Sequence, residues 1–110
     1  MIPATIRLTL ASLILFLVAV SANAAESRQS YLHVKDMHCK ACAQKIANKL
    51  YTVSGVVQVD VDLEKNIARV TPQQTKDPSP RGLWEAVEKA GFVPVKLIGP
   101  AGQFVEKPSN

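Results

Sequence analysis

Two cysteines separated by two residues are the side chains of this sequence best suited to chemistry. Cys39 and Cys42 lie in the segment DMHCKAC, residues 36–42, and the chain contains no other cysteine. Three kinds of chemistry use a C-x-x-C pair: a disulfide, a redox-active dithiol, and a metal site built from two thiolates. The surrounding sequence has to distinguish between them.

The cysteine pair is expected at the start of a helix. Alternating residues predict a strand over 30–35, and the apolar positions between 41 and 53 recur every three or four residues, as on one face of a helix. Cys39 would then lie in the preceding loop and Cys42 near the first turn, where unpaired N–H groups favour a thiolate. Lys40 adds a positive charge that acts in the same direction.

Two thiolates at this spacing favour a soft metal ion. Cu(I) and Hg(II) accept two sulfur ligands, whereas structural Zn(II) normally takes four, and the chain has no second C-x-x-C and no H-x-x-x-H. Zn(II) or Cd(II) would need help from His38, which we interpret as a solvated loop residue rather than a ligand. A c-type haem site would need a histidine where this chain has Ala43.

The middle of the chain predicts a β-hairpin. Alternation over residues 57–63 and the extended run IARVT, residues 67–71, flank a short turn at 64–66. The buried face of the first of these strands is expected to contain Val57, Val59, Val61 and Leu63.

A second helix and a last strand complete the predicted domain. Ser79 can cap a helix that has Pro80 at its first position and ends at Gly91. The strand FVPVKLI, residues 92–98, contains Pro94, which suits an edge position. The order β-α-β-β-α-β predicts an α+β ferredoxin-like sandwich, with a four-stranded antiparallel sheet and two helices on one face.

The two ends of the chain are predicted to lie outside this domain. Residues 1–24 combine Arg7, an apolar run and an Ala-Asn-Ala sequence, which together predict a signal peptide cleaved between Ala24 and Ala25. The product would be periplasmic or secreted. The domain is expected over residues 28–98, and residues 99–110 lack periodicity and predict a flexible tail.

The charge distribution argues against nucleic acid as a partner. The chain has 13 basic and 9 acidic residues, a net charge of +4, and the charges are interleaved rather than gathered in a basic block with aromatic residues. The sequence therefore offers little support for nucleic-acid binding.

Three separated motifs give the sequence a resemblance to the heavy-metal-associated domain family. The family signature is G-M-x-C-x-x-C at the first helix, G-V before the second strand, and A-G-aromatic after the second helix. The matching residues here are Met37, Cys39 and Cys42, then Gly55 and Val56, then Ala90, Gly91 and Phe92. The resemblance covers about residues 30–98. Asp36 departs from it, because the family usually has glycine at that position.

The resemblance carries expectations about the site. It implies that Cys39 and Cys42 bind one soft ion, that Met37 packs beneath the loop instead of acting as a ligand, and that Phe92 packs beside the loop and shields it. The family includes copper chaperones, modules of metal-exporting ATPases and periplasmic mercury-binding proteins. A signal peptide before a single domain is closest to the last group.

These observations favour an exported carrier of Cu(I) or Hg(II) that is not an enzyme. It would pass its ion by thiolate exchange to a metal-transporting membrane protein or another thiol-bearing acceptor, and two chains could share one ion as a metal-bridged homodimer. The alternatives are a thiol–disulfide redox protein that uses the same pair, and an interaction module with a structural disulfide. A disulfide between Cys39 and Cys42 would close a ring of only four residues, so it would stabilise the fold only slightly.

Overall fold

The computed structural model describes residues 28–110, so the predicted signal peptide lies outside the described residues. The elements are β1 (Ser30–Lys35), α1 (Lys40–Tyr51), β2 (Val56–Asp62), β3 (Ile67–Pro72), α2 (Pro80–Lys89), β4 (Val93–Gly99) and β5 (Gly102–Phe104). Between residues 28 and 110, no helix is both long enough and apolar enough to cross a membrane.

The strands form one antiparallel sheet in the order β2-β3-β1-β4-β5. The first four strands have the ferredoxin-like order that the sequence predicts, including the β2–β3 hairpin. The sheet has five strands instead of four because β5 adds to the edge of β4. A single core cluster contains buried side chains from both helices and from the sheet, among them Leu32, Ile46, Leu50, Val70, Val87 and Leu97.

Both helices begin at the residues that the sequence indicates. The α2 helix starts with Pro80, and the hydroxyl of Ser79 accepts a hydrogen bond from the N–H of Gly82 at 3.2 Å. The α1 helix is capped by Cys39 and ends at Tyr51. Each cap satisfies an N–H group that the first helical turn leaves without a partner.

Val57 corrects the predicted buried face of β2. The pairing with β3 shifts between Val56 and Gln58, which leaves Val57 as the extra residue of a β-bulge. A bulge reverses the inward and outward alternation locally. Val57 is therefore 55% exposed, and Val56 packs against the core in its place.

The segment predicted as an unstructured tail contains a strand. Residues 102–104 pair with β4, and the half-buried Phe104 packs against the core. Alternation cannot reveal this element, because three residues are too few to show a period of two. The domain therefore extends beyond residue 98.

Gly55 is required where the chain leaves α1. Its φ angle is +96°, and a Cβ atom there would lie only 3.0 Å from the backbone nitrogen of Pro78. The turn before β2 and the loop before α2 touch at this residue. A side chain would meet both a backbone conformation that L-residues rarely adopt and a backbone collision.

Candidate metal centre

Cys39 and Cys42 are joined by a disulfide at the start of α1, with their Cα atoms 5.1 Å apart. Cys39 is the N-cap residue, in an extended conformation, and its Sγ atom accepts a hydrogen bond from the N–H of Cys42 at 3.0 Å. Cys39 is exposed and Cys42 is half-buried. The structure thus brings together the two sulfur atoms singled out from the sequence, in their oxidised form.

The charges around the pair would stabilise thiolates after reduction. The α1 helix presents its N-terminus to the sulfur atoms, and Lys40, the residue directly after Cys39, adds a positive charge at the same end. A helix N-terminus and nearby ammonium groups both favour a negatively charged sulfur. The N–H of Cys42 would donate a charge-assisted hydrogen bond to a Cys39 thiolate.

Met37 lies in the core, away from the surface on which Cys39 is exposed. Its side chain is completely buried, and it belongs to the same cluster as Leu32 and Ile46. The residue before it, Asp36, has a φ angle of +58°. This left-handed turn lies between the end of β1 and Met37, at the position where the chain turns toward the cysteine loop.

His38 points to an acidic neighbour on the loop surface. Its Nε2 atom lies 3.6 Å from a carboxylate oxygen of Asp36, and both side chains are 73% exposed. Among residues 28–110, no group of three or more histidine, cysteine, aspartate or glutamate side chains is arranged to hold a metal ion. His38 is therefore next to Cys39 in sequence without forming a three-ligand cluster with the cysteine pair.

Four further side chains lie in different parts of the domain. Lys40 is exposed at the first position of α1, and Phe92 is half-buried against the core. His33 lies on β1, where partial burial and the nearby charge of Lys96 lower its pKa below the ordinary value. Trp84, on α2, is a core residue.

The conformation of Asp36 is the feature of the site that sequence reasoning missed. The residue was visible only as a departure from a family pattern that has glycine there. Glycine adopts positive φ angles without strain, and aspartate is among the few other residues that tolerate them. The glycine of the family motif is therefore compatible with the left-handed backbone that Asp36 adopts in this chain.

Comparisons with known proteins agree with this geometry. The family model of the heavy-metal-associated domain, compared with the sequence, matches residues 32–92. A solved structure of the yeast copper transporter domain CCC2A, described in apo and Cu(I)-loaded states, is 30% identical, with a TM-score of 0.53; the match covers 61% of this chain and 90% of that domain.

Two further solved structures are similar to the same extent. The CopZ metallochaperone is 27% identical, with a TM-score of 0.56, and the match covers 61% of this chain and 98% of CopZ. Oxidized MerP from Ralstonia metallidurans CH34 is 31% identical, with a TM-score of 0.54, and the match covers 61% of this chain and 92% of MerP. With its βαββαβ core and its C-x-x-C pair at the start of α1, this chain belongs to the heavy-metal-associated domain family.

Proposed function

We propose that this protein is an exported carrier that binds one soft metal ion, Cu(I) or Hg(II), between the thiolates of Cys39 and Cys42. The observation that carries the proposal is the pairing of these two sulfur atoms at the exposed start of α1. Soft thiolate ligands select such ions, and a two-sulfur site meets the needs of an ion that accepts two ligands. The Cu(I)-loaded state of the similar yeast domain supports Cu(I) as the bound ion.

Binding requires the reduced pair. In the disulfide each sulfur is bonded to the other, and only thiolates are effective ligands. Two electrons and two protons convert the disulfide to two thiols, and loss of the protons gives the thiolates that take the ion. The carrier would therefore be active only in the dithiol form, which a reductant such as a dithiol regenerates from the disulfide.

Transfer would proceed by ligand exchange. A thiolate of the acceptor adds to the bound ion and gives a three-coordinate intermediate, and one of the original thiolates then leaves. Because Cys39 is exposed, a thiolate of the acceptor can reach the bound ion. No bond of a substrate is made or broken, so the protein would act as a carrier and not as an enzyme. A metal-transporting membrane protein or another thiol-bearing protein would be the acceptor.

A competition titration tests the proposal. The reduced chain is titrated anaerobically with Cu(I) or Hg(II) against a chelator, beside a Cys39→Ser, Cys42→Ser variant. We expect one tightly bound ion per chain, lost in the variant. One ion per two chains would instead indicate the metal-bridged homodimer, and no tight binding by the fully reduced chain would refute the proposal.

Export has its own test. Expression of the full chain, followed by fractionation and mass measurement, should give a periplasmic or secreted product that begins at Ala25. A product that retains residues 1–24, or one found only in the cytoplasm, would contradict the export part of the proposal and leave the metal site untouched.

The disulfide itself favours a second candidate, a thiol–disulfide redox protein. Cys39 is the more exposed of the two residues, and its Sγ atom accepts a hydrogen bond from the N–H of Cys42. Both are features of an attacking thiolate. Reduction of a model disulfide such as insulin at a rate well above that of free dithiol would support this candidate. A rate no greater than that of free dithiol would leave the carrier function as the better explanation.

A further inference from the structure

The two sides of the sheet are protected by different devices. The outer strand is β2 on one side and, on the other, the three-residue β5, which covers part of β4. An unpaired edge strand can pair with another chain, and proteins commonly prevent this with bulges, prolines or covering segments. At the β2 edge, the bulge at Val57 interrupts regular pairing, and the hydroxyl of Tyr51 accepts a hydrogen bond from the N–H of Val59 at 3.0 Å. This edge therefore offers no regular row of free backbone groups.

The first half of β4 is protected in a similar way. Pro94 lacks an N–H group, so it cannot donate to a strand on either side. The pairing with β1 shifts so that Lys96 lies opposite His33 and Pro94 opposite Val34, which leaves Val95 unpaired. A proline and a bulge in succession make this half of β4 unsuitable for pairing with another strand.

The second half of β4 has neither device. Residues 97–99 are regular and carry no charge, and they pair with β5 through Leu97 opposite Phe104, Ile98 opposite Gln103 and Gly99 opposite Gly102. Their protection comes entirely from the segment that follows them. We call residues 100–110 the C-terminal strap.

Contacts along α2 hold the C-terminal strap in place. The ammonium group of Lys107 lies 2.8 Å from a carboxylate oxygen of Glu88. Pro108 is buried, and the backbone oxygen of Asn110 accepts a hydrogen bond from the N–H of Arg81 at 2.7 Å. The strap thus runs from the sheet edge back along α2, from its last turn to its first turn.

We propose that the C-terminal strap keeps the protein monomeric by covering residues 97–99, which would otherwise pair with the same residues of a second copy. Antiparallel pairing of identical edges is satisfied by a two-fold axis, and each copy then contributes the same residues. The uncharged row at 97–99 presents no like charges to oppose this pairing. Uncovering it makes a second copy the natural partner.

The pairing site lies at the far end of the sheet from the cysteine loop. Ile98 pairs with Tyr31 at the start of β1, whereas Val93 pairs with Lys35 at the end of β1, from which the loop to Cys39 departs. Association through residues 97–99 would leave Cys39 accessible. The proposal is therefore independent of the proposed metal function, and either can fail alone.

Removal of the strap tests the proposal. The family model spans residues 32–92, and 61% of this chain covers 98% of CopZ, which indicates that the domain can fold without residues 100–110. Residues 25–110 and a version ending at Gly99 are compared by sedimentation equilibrium between about 10 μM and about 500 μM, where a dimer with a micromolar to millimolar dissociation constant becomes populated. We expect the longer chain to stay monomeric and the shorter one to form dimers.

Two controls on the shortened chain and one full-length variant identify the surface. In the shortened chain, Ile98→Lys places a charge on the exposed edge and should restore the monomer. A synthetic peptide of residues 100–110 should also restore it, whereas the same peptide with Phe104→Asp should not. Full-length Phe104→Asp loosens the strap without truncation and should dimerise as well. A shortened chain that stays monomeric, or dimers that neither control dissociates, would overturn the proposal.

Discussion

Met37 is two residues from Cys39, yet its side chain is part of the core. A thioether can bind Cu(I), but the buried position of Met37 indicates that its side chain packs in the core and does not bind the ion. Leucine has nearly the same volume, and such exchanges in a core usually cost less than about 1.5 kcal/mol. We expect Met37→Leu to keep both the stability and the metal affinity of the reduced chain.

The measurement for Met37 is a urea unfolding curve beside a chelator competition. Met37→Ala, the matched control, should lower the free energy of unfolding by about 2–5 kcal/mol, because it leaves a cavity. A Met37→Leu chain that folds normally but binds metal more weakly would assign the thioether to the site.

Asp36 occupies a left-handed conformation that glycine adopts without strain. We expect Asp36→Gly to be more stable than Asp36→Ala by about 1 kcal/mol, because alanine keeps a Cβ atom, which the left-handed conformation disfavours, and glycine has none. Urea unfolding of the two variants measures the difference. The same pair of changes at Lys35, an extended strand residue, should give the opposite order. Equal stabilities at Asp36 would argue against a strained turn.

The helices and strands followed from sequence patterns wherever a pattern is long enough to read. The alternation in β1 and the Ser79–Pro80 cap predicted their elements correctly. Val57 was assigned to the wrong side, because a bulge depends on how two strands pair and not on the residues of one strand.

The Ser79 cap gives a prediction for α2. Ser79→Ala removes the oxygen that accepts the N–H of Gly82, and we expect a loss of about 1 kcal/mol in the free energy of unfolding. Ser79→Asp keeps an acceptor and should retain most of the stability. If alanine and aspartate destabilise the protein equally, the hydrogen bond does not cap the helix.

Some features of the whole molecule can be predicted from its sequence, and others become visible only in the folded structure. The domain core and the position of Cys39 and Cys42 were predictable, because periodicity and local spacing determine them. The C-terminal strap was not, since its contacts with Glu88 and Arg81 join residues distant in sequence. The oxidation state of the pair depends on the redox potential of the surroundings as much as on the residues.

The central claim is that a reduced Cys39–Cys42 pair holds the ion, and one comparison tests it without any mutation. The same chain is prepared as the dithiol and as the disulfide and dialysed anaerobically against equal free Hg(II). The account predicts one ion on each reduced chain and none on the disulfide form. Equal loading of both forms would place the metal elsewhere and contradict the account.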